Sequence, residues 1–205
     1  MYVSYASAVP ARVKRLSRTE SVARTRALLL DAAEEVFAEH GFGRTTLEQI
    51  AERAGYTRGA VYANFASKDD LFLAVLDRWL DADITRGGQI NEESPSVRDA
   101  LDRLRELEGN RFADRTRFLL LTEFRLYALR NPAVAPRVAE YERRCIAWYA
   151  DAIRARVAAP PIPAEQLAAI VLAMENGIAT LAHLAPDTVR HDAFIDALEM
   201  LTGLR

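Results

Sequence analysis

The stretch "TTLEQIAERAGYTRGAVYANFASKDDLFLAV", residues 45–75, crowds three helix starts into one short span. Thr45 or Thr46, then Thr57, then Ser67 each place a side-chain oxygen where it can cap free N–H groups at a helix N-terminus. Thr45-x-x-Glu48 and Thr46-x-x-Gln49 are both capping-box spacings, so the first start is specified twice. Its helix ends at Ala54-Gly55, after about two turns. A helix so short is not stable alone in water, because nucleation costs more than its few hydrogen bonds return. Its reason must lie outside itself.

Helix-forming residues dominate the chain and alternating β-branched runs are missing, so the expected fold is all-α. Nine helices are expected, over about 21–40, 46–54, 58–65, 68–85, 97–108, 112–130, 133–157, 164–184 and 192–204. Val22, Leu29, Ala32, Ala33, Val36 and Phe37 share one face of the first. Gly41 sits where a left-handed cap would end it, and Phe42 can fold back on the core. Gly87-Gly88 with "NEESPS", Gly109-Asn110, Asn131-Pro132, "APPIP" and "APD" supply the breaks. The expected organisation is an arm over 1–19, a unit of short helices over 20–67, and a larger helical domain over 68–205. Its first helix, 68–85, connects the two.

Two short helices joined by a tight glycine-containing turn, with a longer helix in front, form a helix-turn-helix. Its second helix enters the DNA major groove, where one helix reaches only about four to six base pairs, so a short one suffices. Residues 26–75, "RALLLDAAEEVFAEHGFGRTTLEQIAERAGYTRGAVYANFASKDDLFLAV", also resemble the DNA-binding domain of the TetR (tetracycline-repressor-type) transcriptional regulators. Ala32-Ala33, Phe37, Gly41-Phe42, Thr45-Thr46, Ile50-Ala51, Ala54-Gly55, Gly59, Tyr62, Phe65, Lys68 and Leu71 carry the likeness.

The candidate DNA contacts are Thr45, Thr46, Tyr56, Thr57, Arg58, Gly59, Tyr62, Ala63, Asn64 and Lys68. Thr45 and Thr46 open a helix whose free N–H groups favour a phosphate oxygen, and capping alone would also explain them. Arg58 is the only long cation at the front of the recognition helix; it serves a base or phosphate, or is a solvated surface arginine. Gly59 lets backbone approach DNA. Tyr62 can place its hydroxyl on a phosphate or pack with a wet tip. Asn64 can pair with an adenine edge or hold a phosphate. Lys68 opposes the helix dipole, a penalty that makes sense if its amine serves a phosphate. Tyr56 stands where the family usually has a small aliphatic residue. Ala63 replaces larger contacting side chains and can touch a thymine methyl. Val61, Phe65, Ile50 and Leu71 read as core.

Charge is unevenly spread. Arg12, Lys14, Arg15, Arg18, Arg24 and Arg26 against Glu20 leave the first 30 residues at +5, although the 205-residue chain carries −2. That basic arm either lies along DNA or is a solvated tail. The sole cysteine, Cys145, permits no intrachain disulfide. "MYVSYASAVP" lacks the pattern of a signal peptide. "LAAIVLAM" runs into Glu175 and Asn176, short of the roughly 20 apolar residues of a membrane span. A cytoplasmic protein without membrane contact is expected. An enzyme is the competing class, and little favours it. His40, His183 and His191 lack metal spacing, and there is no nucleophile elbow, P-loop or dinucleotide fingerprint, so no catalytic residue, cofactor or metal is expected.

For the remainder, the resemblance implies a homodimer through the last two helices and a pocket among the central ones. Ala168, Ala169, Ala173, Gly177 and Ala179 would allow close helix approach. Two-fold symmetry would set two recognition helices roughly 34–36 Å apart on a pseudo-palindromic operator. Candidate pocket residues are Trp79, Phe118, Glu123, Phe124, Tyr127, Tyr141, Trp148, Met174, Glu175 and Asn176; ordinary core packing explains each one singly, and so many aromatics on facing helices together favour a pocket. Glu123 and Glu175 would bond a ligand, pair with Arg125 or another arginine, or reach water. The implied mechanism is repression relieved when an apolar or aromatic ligand favours a dimer with wrongly spaced recognition helices. The connecting helix is one possible path for that signal. An architectural DNA-binding protein without effector is a further alternative, though the large helical remainder would then lack a purpose.

Overall fold

The computed structural model describes residues 17–107, 114–190 and 192–203, and these are almost wholly helical. Among them nine α-helices follow in order: α1 (Arg18–Arg44), α2 (Leu47–Arg53), α3 (Arg58–Asn64), α4 (Lys68–Glu93), α5 (Val97–Leu107), α6 (Arg115–Arg130), α7 (Ala135–Arg156), α8 (Ala164–Leu184) and α9 (Ala193–Leu201). One 3₁₀ turn, Pro186–Thr188, precedes α9. Arg12, Lys14 and Arg15 of the expected arm, and the Gly109-Asn110 break, lie outside the described residues.

The short elements form where their caps allow. Of the two overlapping boxes, Thr46–Gln49 is the one made: the Thr46 hydroxyl accepts from Gln49 N–H at 3.3 Å and Gln49 Oε1 accepts from Thr46 N–H at 2.8 Å. Thr57 caps α3 through Ala60 N–H, and Ser67 caps α4 through Asp70 N–H. Gly41, at φ 75° and ψ 167°, breaks α1 without ending it, and Gly55 takes φ 71° in the turn between α2 and α3. A left-handed φ costs an L side chain about 1 kcal/mol or more, which glycine avoids.

Three expectations are corrected here. The first helix begins at Arg18, because Ser17 and Glu20 form a capping box of their own, so Arg18 joins Arg24 and Arg26 on α1 and does not belong to the arm. Next, α4 does not stop at Thr85 but runs through Gly87-Gly88 to Glu93. The Trp148 ring lies where a Gly87 side chain would be, with Cζ2 only 2.7 Å from an ideal Cβ position, and Arg156 donates to the carbonyls of Asn91, Ser94 and Ser96 at the far end. Gly87 is there for close approach, not to break the helix. Third, α8 extends well beyond "LAAIVLAM" and, at 21 residues, is long and apolar enough by length and composition to cross a membrane. Leu167, Ala168, Val171 and Ala179 of α8 are nevertheless buried inside the fold, where α7 packs along it.

The largest core joins the front of the molecule to its body. Phe37 and Phe42 of α1, Phe72 of α4 and Phe124 of α6 form a four-ring cluster with centroids 4.4–6.0 Å apart. All four are at most 2% exposed. Each such pair contributes about 0.5–1.5 kcal/mol beyond area burial. Helices α1, α4 and α6 are therefore held as one packed unit.

Candidate functional site

Ile50 of α2 and Val61 of α3 are fully buried in the main core, which turns the opposite edges of the two short helices outward. Thr46, Thr57, Arg58, Gly59, Tyr62 and Ala63 all fall on this exposed surface. Arg58 pairs with Glu48 of α2 at 2.7 Å and donates to the Tyr62 hydroxyl at 3.1 Å. These contacts, the Tyr62 hydrogen bond first, raise its pKa further above the usual arginine value, so it stays charged. A side chain at Gly59 would meet only Thr57 Oγ1, at 3.7 Å. The protein itself does not require glycine there, and the space above it is open to a close-lying backbone.

Four of the expected contacts are placed otherwise. Thr45 is 2% exposed, and its hydroxyl donates inward to the carbonyls of Gly41 at 2.7 Å and Val36 at 3.3 Å. Lys68 points away from solvent: its ammonium donates to the carbonyls of Phe42 at 2.8 Å, Thr45 at 3.0 Å and Gly43 at 3.3 Å, over the Phe42 ring. Partial burial lowers its pKa, and in this DNA-free chain three main-chain acceptors make it a pin on the bend before α2. Asn64 spends its amide on the Ala60 carbonyl of its own helix at 2.8 Å. Tyr56 packs against the main core, its hydroxyl 3.4 Å from that of Thr25. The likeness named these positions, but not which way their side chains turn.

A second set of residues sets how this surface is carried, and sequence reasoning missed its role. Glu123 of α6 accepts from Phe42 N–H at 2.9 Å and Gly43 N–H at 2.7 Å, gripping the bend before α2. Any side chain at Gly41 would strike its Oε2 at 2.9 Å. Arg26 of α1 holds the end of α3, donating to the Asn64 carbonyl at 2.9 Å and covering the Phe65 ring at 4.3 Å. The "GFG" spacing was the one available signal for Glu123, but the carboxylate arrives from 80 residues away.

Behind this unit, α4 to α9 enclose a cavity of about 520 Å³. That size falls within the roughly 300–1,000 Å³ of small-molecule sites. Of the ten expected pocket residues, Phe118, Tyr141, Trp148, Glu175 and Asn176 line it. The other five do not. Glu123 grips the α1 bend, Phe124 and Tyr127 belong to the aromatic core, and Met174 packs on Leu101, Val171, Phe194 and Ile195. Trp79 donates to Glu34 of α1 at 2.6 Å, away from the cavity. Most charges around the cavity are paired. Arg125 forks onto Glu142 at 2.6 and 3.2 Å and donates to Asn176 at 2.7 Å, while Tyr149 donates to Glu175 at 2.5 Å. Arg117 pairs with Asp83. Burial pushes the Cys145 thiol up to about 11, which makes it a wall atom and not a nucleophile. Among the described residues no group of three or more His, Cys, Asp or Glu is placed to hold a metal ion.

An exposed recognition helix in front of an all-helical, cavity-bearing body defines a DNA-binding transcriptional regulator. Comparison with known proteins agrees. Residues 29–75 match the family model for bacterial regulatory proteins of the tetR family, and residues 97–202, more than half of the chain, match that for the C-terminal part of BetI-type transcriptional repressors. The chain belongs to the TetR family of transcriptional regulators, and not to a family of enzymes. The HTH-type transcriptional regulator TtgR of Pseudomonas putida is 50% identical over 58 residues, which is 28% of each chain. The match thus spans under a third of that relative. A TetR transcription regulator from Haloarcula marismortui superposes over 89% of this chain and 98% of its own, with a TM-score of 0.70 and 20% identity. A transcriptional regulator from Saccharomonospora viridis, solved in complex with choline, covers 87% and 95% with a TM-score of 0.66 and 20% identity.

Proposed function

We propose that this regulator is a homodimeric repressor, released from a pseudo-palindromic operator by a small, largely apolar or aromatic effector held in the α4–α9 cavity. The observation that carries the reading is the pairing of two features in one packed unit. One is a solvent-facing α3 edge with Arg58, Tyr62 and an open Gly59. The other is a cavity walled by aromatic and apolar side chains. The BetI-type match, named for repressors, supports the sign of regulation, and the choline complex of the Saccharomonospora viridis neighbour supports an effector role for the cavity.

Dimerisation finds support on α8. Ile170, Ala173, Gly177, Leu181 and Leu184 are all exposed, three or four residues apart, and form one apolar stripe with small residues at its centre. Such spacing lets a second helix approach closely along a continuous seam. Met200 of α9 adds to the exposed apolar surface. Signal transmission runs through α6 as well as through α4. Phe118, Leu121 and Arg125 of α6 line the cavity, while Glu123 of the same helix holds the α1 bend. A ligand that displaces α6 moves the recognition helix through this grip, which biases the dimer away from operator spacing.

The test is binding of the purified protein to the DNA upstream of its own gene, titrated against salt, for wild type, Arg58→Ala and Tyr62→Phe. Sequence-specific, salt-sensitive binding weakened by about 1–3 kcal/mol in Arg58→Ala supports the reading. Tight binding indifferent to sequence would point instead to an architectural role. A monomer by light scattering at the binding concentration would refute the dimer.

A further inference from the structure

Of the polar groups around the cavity, one stands apart. His183, in the last turn of α8, lines the cavity, and its Nε2 atom is buried without a hydrogen-bond partner among the described residues. A buried ring nitrogen left unpaired costs about 1–3 kcal/mol, so such atoms are kept where something else satisfies them. Phe118 packs on the imidazole with centroids 4.7 Å apart, which holds the ring in place. Asn176 and Glu175, the other polar α8 residues on this wall, are already engaged by Arg125 and Tyr149. His183 lies two helical turns beyond Asn176, about 10 Å along the axis. Ala179 lies between them on the same wall.

We propose that His183 is the polar anchor of the effector site, and that the effector is a ring-containing molecule with a hydroxyl group that hydrogen-bonds to Nε2. This rests on the effector-cavity reading above and names the chemistry of its ligand. Arg125 is matched by Glu142, Arg117 by Asp83, and Arg156 by three main-chain carbonyls, while Arg86 and Glu175 also line the cavity, so the lining does not fix the ligand's charge and the probes must. Phe118, Trp148 and Tyr141 supply ring surfaces for an apolar body of the ligand.

The experiment titrates the full chain with 2-naphthol, with 2-methoxynaphthalene, which lacks the hydroxyl proton, and with the charged probes 2-naphthoate and choline. Binding is read by Trp fluorescence and by the shift in Tm. Wild type should bind 2-naphthol about three- to tenfold more tightly than its methyl ether. His183→Phe should erase that preference while still binding the ether, and His183→Gln, which keeps a hydrogen-bonding group, should retain part of it. Equal affinity for naphthol and ether in wild type, or a preference that survives His183→Phe, overturns the anchor. Tighter binding of either charged probe than of 2-naphthol assigns recognition to a charged lining group such as Arg86 or Glu175 and overturns the anchor. If none of the four binds wild type, the aromatic-effector reading of the cavity falls, and the anchor with it.

Discussion

The front of this molecule and its body solve opposite problems. In α1 to α3 each short helix is opened by its own cap, the interior is filled by Phe37, Phe42, Ile50 and Val61, and what matters for function lies outside. In α4 to α9 polar groups pair across distant segments, and what matters is the space left unfilled. A surface that docks on a rigid helical polymer must itself be rigid, which local capping and a filled core provide. A site that admits a small molecule has to forgo some packing, at a cost that rises with cavity volume.

Four substitutions test that contrast. The largest effect is expected at Phe72→Ala, in the aromatic cluster where the two regions meet. It should destabilise by about 3–5 kcal/mol in chemical denaturation and shift a single cooperative transition. Two separated transitions would show that the regions fold independently. Glu123→Ala removes two charged hydrogen bonds from the α1 bend. Operator affinity should fall by about 2–3 kcal/mol in fluorescence anisotropy, while 2-naphthol binding in the cavity changes less than about twofold. Gly87→Ala drives a methyl into Trp148 and should cost about 1–3 kcal/mol in Tm-derived stability. Ligand binding should weaken while DNA binding by the unliganded protein stays unchanged, a separation the contrast requires. Thr46→Ala should be mildest, about 1 kcal/mol from one lost cap, seen in the same denaturation assay. If it cost as much as Phe72→Ala, local capping would not be local.

Legibility followed the range of the interactions. Caps act over three residues, so Thr46, Thr57 and Ser67 could be read directly, as could α3 as the recognition helix and the all-α class. Thr45 and Lys68 are legible as positions, but not the inward hydrogen bonds they make. A threonine beside a good cap is free to turn inward, and a lysine reaching three carbonyls is visible only once the bend at Gly41 is folded. The aromatics shared out similarly. Phe118 and Trp148 face the cavity while Phe124 and Tyr127 fill the core, and an apolar ring at helical spacing does not disclose which neighbour it meets. His183 has no metal spacing and so carries no signal in the sequence. Its significance is a ring nitrogen without a partner among the described residues, and only coordinates show one.

The order of residues by itself determined that this chain is helical, where its short helices start, and which of them reads as the recognition helix. Those outcomes depend on hydrogen bonds between near neighbours and on the period of apolar side chains. Tertiary structure alone decided that Gly87 is a seat for Trp148, that Glu123 grips a bend 80 residues away, and that His183 Nε2 meets no hydrogen-bond partner among the described residues. Each of these depends on groups far apart in the chain arriving within a few ångströms. No local pattern encodes such a meeting, because it is set by the packing of whole helices against one another.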